Sequence, residues 1–207
     1  MPSVDFRLYL VTDRHQTAGR PLLSVLRQAV SAGVRAVQLR ERDLPIRALQ
    51  ALAGDLQREL PQAQLFINDR VDLACALSTA GVHLRESSLP PAVVRGLLQS
   101  AQLLGVSVHS IDGALAAEQQ GADFVVLVPI HDTPSKREYG VPLGLSVLEQ
   151  AARCVRIPIF AIGGMTAVRA REARQAGAFG VAVLSSILSA ADVAQATTSL
   201  LSAIETE

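Results

Sequence analysis

Apolar residues along this chain fall into two alternating kinds of run. Short strand-like runs occur at Arg7–Val11, Gln64–Ile67, Gly105–Val108 and Pro158–Ala161. Between them a second kind recurs, a glycine followed at once by an apolar stretch. It reads Ala32-Gly33-Val34-Arg35-Ala36-Val37-Gln38-Leu39, then Ala80-Gly81-Val82-His83-Leu84. It returns as Gln120-Gly121-Ala122-Asp123-Phe124-Val125-Val126-Leu127 and as Ala176-Gly177-Ala178-Phe179-Gly180-Val181-Ala182-Val183. Glycine suits the left-handed turn that closes a helix, so each signature reads as a helix end feeding a strand. The two sets interleave and predict eight strands.

Segments with helical periodicity separate them. Leu22, Leu23, Leu26 and Val30 form one apolar stripe, and Leu49, Leu52, Ala53 and Leu56 another. Val93, Val94, Leu97 and Leu98 form a third, and Val168, Ala170 and Ala173 a weaker one. Pro21, Pro45 and Pro90 sit near helix starts, where a missing amide hydrogen costs little. Regular alternation of strand and helix implies a parallel sheet, and eight units imply closure. The prediction is an α/β protein, one (βα)8 TIM barrel forming a single domain over residues 1–207. An open doubly wound sheet is the alternative, and even spacing of eight units disfavours it.

Composition narrows the picture. A length of 207 residues is near the lower limit for such a barrel. Hydrophobic residues make up 49% and aromatics 3%, so the core is expected to come from Ala, Val, Leu and Ile. Nineteen basic residues balance nineteen acidic ones, which removes the electrostatic case for a nucleic-acid partner. No apolar run reaches the roughly 18 residues of a membrane span, and Met1 to His15 does not read as a signal peptide. A cytoplasmic location is therefore expected. Cys75 and Cys154 fit no metal or redox spacing and read as reduced core thiols.

In a barrel of this kind chemistry sits at the C-terminal strand ends. Gly163-Gly164 ends the seventh strand, and Ser185-Ser186 ends the eighth at a helix start. Loops after these strands are the usual phosphate seat of the fold, because glycine admits close backbone approach and a helix start adds positive potential. Thr133, Ser135 and Lys136, after strand six, form a second anion-binding candidate. Gln38 and Arg40 alternate along a strand end, so both can face inward, and Arg40 suits a carboxylate or phosphate. His109, at the mouth end of strand five, is the candidate general acid and base. His83, inside strand four, reads as a packed core residue, and His15 and His131 carry no assigned role. Arg42, Arg85 and Glu86 are expected in loop solvent.

The ordered motifs resemble those of the thiamine phosphate synthase and TenI superfamily along essentially the whole chain. They are Leu8-Tyr9-Leu10-Val11-Thr12-Asp13, Val37-Gln38-Leu39-Arg40-Glu41-Arg42-Asp43 and Ile67-Asn68-Asp69-Arg70. Gly81-Val82-His83-Leu84, Val106-Ser107-Val108-His109-Ser110, Thr133-Pro134-Ser135-Lys136 and Ala161-Ile162-Gly163-Gly164-Met165 follow. For the synthase branch the resemblance implies magnesium and a pyrimidine diphosphate joined to a thiazole phosphate. Gln38, Arg40, Asn68, Thr133, Ser135 and Lys136 then match diphosphate-binding positions, and Asp69 matches one magnesium ligand. Ser88 stands where a second metal aspartate is expected, with Arg85 adding positive charge nearby, and Arg42 replaces the family lysine.

The TenI-like branch implies a different reaction, aromatisation of a thiazole phosphate carboxylate by proton transfer without a metal cofactor. Its catalytic histidine matches His109 within Ser107-Val108-His109-Ser110. The missing carboxylate favours this tautomerase reading over the synthase, because hard cations need several oxygen ligands. A non-catalytic phosphate-ester binder is the third reading. All three take a small phosphorylated thiazole, and a homodimer stays open because the exposed helices of such barrels often support one.

Overall fold

The computed structural model describes residues 3–132 and 142–205. Its strands are β1 (Leu8–Val11), β2 (Ala36–Leu39), β3 (Gln64–Asn68), β4 (Gly81–Leu84), β5 (Leu103–Val108), β6 (Phe124–Leu127), β7 (Ile159–Ile162) and β8 (Gly180–Val183). Helices α1 (Leu22–Ser31), α2 (Ile46–Glu59), α3 (Val71–Ala76), α4 (Pro91–Arg95) and α5 (Ile111–Gln119) follow the first five strands in turn. Helices α6 (Gly144–Cys154), α7 (Ala167–Gln175), α8 (Ser185–Leu188) and α9 (Val193–Glu205) complete the order. All strand pairs are parallel and join in sequence order, and β1 closes on β8 with Leu8 opposite Val181 and Leu10 opposite Val183. The closed (βα)8 barrel is the predicted fold, and the open sheet is excluded.

Alternation along each strand divides the apolar residues into two cores. Leu8, Leu10, Val37, Leu39, Leu65, Ile67, Val82 and Leu84 point outward and pack under helices through Val25, Leu26, Ala29, Leu49, Ala53 and Leu56. That outer layer has the predicted aliphatic composition. The lumen does not. Phe6, Tyr9, Phe66, Phe124 and Phe160 fill it together, with Tyr9 edge-on to Phe66 at 5.4 Å between ring centroids. Few aromatics therefore do not mean an aliphatic core. Those present are gathered where the barrel narrows, and small residues make room for them.

Gly81 is the clearest of these small residues. A Cβ there would collide with the Leu103 carbonyl and sit 2.9 Å from the Phe66 ring. Gly33, Gly121 and Gly177 do take the predicted left-handed turns, whereas Gly81 is the first residue of β4 and Ser78 carries the positive φ after α3. Two apolar stripes also differ from expectation. Helix α4 is a single turn that buries Val94 and leaves Val93 and Leu97 exposed, and Val168 on α7 is exposed too. Cys154 lies at an exposed helix end rather than in the core, and Cys75 is half-buried.

Beneath the mouth runs a buried polar column. Tyr9 Oη lies 3.4 Å from His83 Nδ1, and His83 Nε2 lies 2.9 Å from Ser107 Oγ. Burial holds the Tyr9 phenol well above its usual range, so it stays a donor. When it donates to Nδ1, His83 carries its proton on Nε2, facing Ser107. Burial also pushes His83 down to about 3, opposed by Asp69 and assisted by Arg40, so the ring is neutral at neutral pH.

A second polar cluster ties the loops after β1 and β2. Glu41, almost fully buried, accepts from Thr12 Oγ1 at 2.6 Å and from the Arg14 backbone and guanidinium at 3.1 Å each. Thr12 Oγ1 in turn accepts the Arg40 amide at 2.9 Å, which fixes the backbone at that arginine. Arg14 also grips Asp43 through two bonds of 2.6 Å, and with His15 it holds the Asp43 carboxyl well below the usual range.

Two predictions follow from these clusters. The His83 pKa is depressed in the folded state, so the stability it contributes is complete above about pH 6.5 and falls as the unfolded chain takes up a proton. The stability advantage of the wild type over His83→Gln, measured by urea unfolding, is expected to shrink by about 2 kcal/mol from about pH 7 to about pH 5. A constant difference would exclude a neutral buried ring. Glu41→Ala strands the Thr12 hydroxyl and the Arg14 amide, and is expected to lower stability by about 2–4 kcal/mol in the same assay.

Candidate active site

The C-terminal strand ends open into one cavity of about 640 Å³. Its floor is made by Val11, Gln38, Asn68, Ser107, Val126 and Ile162 from six of the strands, with Leu184 just past β8. Its walls come from the loops that follow, through Asp13, Gln16, Arg40, Arg42, Arg85, Glu86, Ser87 and His109. Gln38 Nε2 donates to Asn68 Oδ1 at 2.9 Å, so the two amides form one polar step on an otherwise mostly apolar floor.

Of the residues singled out from sequence, Gln38, Arg40, Asn68 and His109 share this cavity. Gly163 and Gly164 follow β7 with positive φ, and a side chain at Gly163 would press on the Ile130 amide at 3.1 Å. Ser185 and Ser186 open α8 directly after Leu184. These four thus adjoin the two floor residues Ile162 and Leu184, without lining the cavity themselves. Thr133, Ser135 and Lys136 lie outside the described residues. His83 is a packed core residue, as expected, lying just under the floor.

Arg42, Arg85 and Glu86 are exposed on loops, as expected, and they also line the cavity wall. The available signal was their place directly after strand ends, in loops too short to swing away from the mouth. Glu86 carries a further consequence. Its Oε2 lies 2.6 Å from His109 Nδ1, with both side chains about half-exposed. A carboxylate only accepts, so it assigns the proton to Nδ1 and leaves Nε2 of a neutral ring as the accepting face.

Asp69 adopts a left-handed backbone with φ +64° after β3, and its amide donates to the His83 carbonyl at 2.9 Å. Its carboxylate is engaged on both oxygens from within the chain. Oδ2 accepts from Arg85 Nε at 2.8 Å and from Nη2, and Oδ1 accepts from Ser88 Oγ. Ser88 Oγ also accepts the Arg85 amide at 3.0 Å, which closes the cluster. Magnesium demands near-octahedral oxygen ligands and a negative site. Here the single carboxylate is neutralised by a guanidinium, and a serine hydroxyl rather than a second carboxylate stands beside it. The magnesium ligand role that resemblance gives Asp69 does not fit this donor set.

Comparison with known proteins agrees over nearly the full length. A Geobacter sulfurreducens protein called "Putative thiamine-phosphate synthase" is 49% identical over 203 residues, covering 97% of this chain and 95% of that protein. A Roseiflexus castenholzii thiamine-phosphate synthase is 40% identical over 196 residues, covering 93% and 86%. Among solved structures, a thiamine phosphate pyrophosphorylase from Pyrococcus furiosus superposes with a TM-score of 0.86 at 32% identity, covering 96% of this chain and 95% of that one. The family profile described as Thiamine monophosphate synthase matches residues 8–187, from the first residue of β1 into α8, and the chain therefore belongs to the thiamine monophosphate synthase (TMP-TENI) family.

Proposed function

We propose that the protein is a thiamine-phosphate synthase, a transferase that joins a hydroxymethylpyrimidine diphosphate to a thiazole phosphate. The observation that carries this reading is the cavity, with Arg40, Arg42 and Arg85 around an amide step of Gln38 and Asn68. Three guanidiniums suit a multiply charged diphosphate, and about 640 Å³ lies within the range of small-ligand sites. The relatives of similar length that bear the synthase name support it. They also reverse the preference for a tautomerase that the missing second aspartate suggested from sequence.

In this reaction the bond from the pyrimidine methylene to the diphosphate oxygen breaks, and its electron pair leaves with the diphosphate. The thiazole nitrogen lone pair then forms the new C–N bond. The protein's task is to hold the leaving diphosphate and to keep both rings in line. Gln38, Arg40 and Asn68 take the diphosphate in this assignment, and the family resemblance adds Thr133, Ser135 and Lys136 to that role. Gly163, Gly164, Ser185 and Ser186 take the thiazole phosphate beside β7 and β8.

A second reading, the TenI-like tautomerase, is favoured by one specific observation: the His109–Glu86 pair at the cavity wall. There His109 Nε2 would accept a proton from the ring carbon beside the carboxylate and return it to the exocyclic carbon, with Arg40 or Lys136 holding the carboxylate.

Both reactions can be assayed side by side. Purified protein is expected to form thiamine phosphate from its two precursors, and absence of product at saturating substrate, with and without magnesium, sinks the synthase reading. Under the tautomerase reading His109→Gln is expected to lose at least about 100-fold in aromatisation rate while still binding the aromatic product, and near-normal turnover would overturn it.

A further inference from the structure

The cluster around Asp69 does something other than hold a metal. Its carboxylate, its φ +64° backbone and the Ser88 hydroxyl together fix one side chain, that of Arg85. Arg85 is bonded to Asp69 through Nε and Nη2, and the same side chain lines the cavity, about half-exposed. Asp69 therefore acts as a clamp that aims a planar cation at the mouth. Asn68, the preceding residue, places an amide on the floor of the same cavity.

We infer that Arg85 is the fixed guanidinium of the diphosphate site, its remaining oriented N–H donors meeting phosphate oxygens where a divalent ion would otherwise stand. A guanidinium offers several N–H donors in one plane, so two can remain on Asp69 while others meet phosphate oxygens. Pre-orientation matters here, because a loosely held arginine loses rotamer freedom when it binds. Ser88 is integral to the clamp. An aspartate at that position would face Asp69 across a short gap and draw a cation between the two, whereas a serine donates to Asp69 and leaves the pair with Arg85 intact. The ligand class is an inorganic or organic diphosphate, bound without a divalent metal. For catalysis the inference rests on the synthase reading, but the binding event does not require turnover.

The test is calorimetric titration of inorganic pyrophosphate into the purified protein, once in excess EDTA and once with magnesium. The wild type is expected to bind in EDTA, with affinity changed less than about threefold by magnesium. Arg85→Ala is expected to weaken binding in EDTA by at least about tenfold, as loss of a charge-assisted contact implies. The double variant Arg85→Ala with Ser88→Asp supplies two carboxylates and no guanidinium, and is expected to bind pyrophosphate only when magnesium is present. Circular dichroism and thermal unfolding establish that each variant is folded, and Arg85→Lys gives a second, milder variant with an intermediate loss. Wild-type binding that requires magnesium, undetectable binding in both conditions, or unchanged affinity in folded Arg85→Ala each overturns the inference. Metal-free binding through Arg85 without any thiamine phosphate formed would sink the synthase reading instead and leave the cation site standing.

Discussion

Parallel pairing of β1 with β8 is the constraint on which the rest depends. Closure leaves no strand edge, and it forces every inward residue to share a lumen with those of seven other strands. The bottom of that lumen holds a knot of five aromatic rings, seated against residues as small as Gly81. Its top is where stacking ends and polar atoms begin, and Gln38, Asn68 and Ser107 form a floor above the packed rings. The Tyr9–His83–Ser107 column crosses this boundary and connects apolar packing to the polar mouth.

Much of the architecture was legible in the sequence because each repeat states its element twice, once in apolar periodicity and once in punctuation. Strands such as Phe124–Leu127 emerge directly from the glycine signature. What stayed hidden was how the two faces of each strand are used. Gly81 looks like Gly33 in sequence, yet one is excluded from bearing a side chain by a neighbouring carbonyl and the other by its backbone angle. The exposure of Val93 and Leu97 was likewise illegible, since α4 is too short to present a full stripe to the barrel.

The site was legible where chemistry depends on position along a strand and illegible where it depends on pairs. Gln38, Arg40 and His109 were found from their place at strand ends and Asn68 from the family resemblance, and the structure puts them around one cavity. Pairing across loops carries no such local signal. Nothing in the sequence near Asp69 shows that Arg85, sixteen residues later, will take both its charge and its lone pairs, or that Glu86 will orient His109 rather than join a metal site. Neighbours in sequence, Arg85 and Glu86 serve opposite signs of charge because the loop sends them to opposite sides.

That short loop between β4 and α4 has an architectural consequence. Through Arg85 and Ser88 it is riveted to the end of β3, and through Glu86 it reaches the end of β5, so it spans the mouth like a tie bar over its own strand. The diphosphate site proposed for Arg85 and the proton transfer proposed for His109 would then share one mechanical part. A single inserted or deleted residue between Leu84 and Pro90 would shift both at once, so divergence of this cavity toward one chemistry is bound to disturb the other.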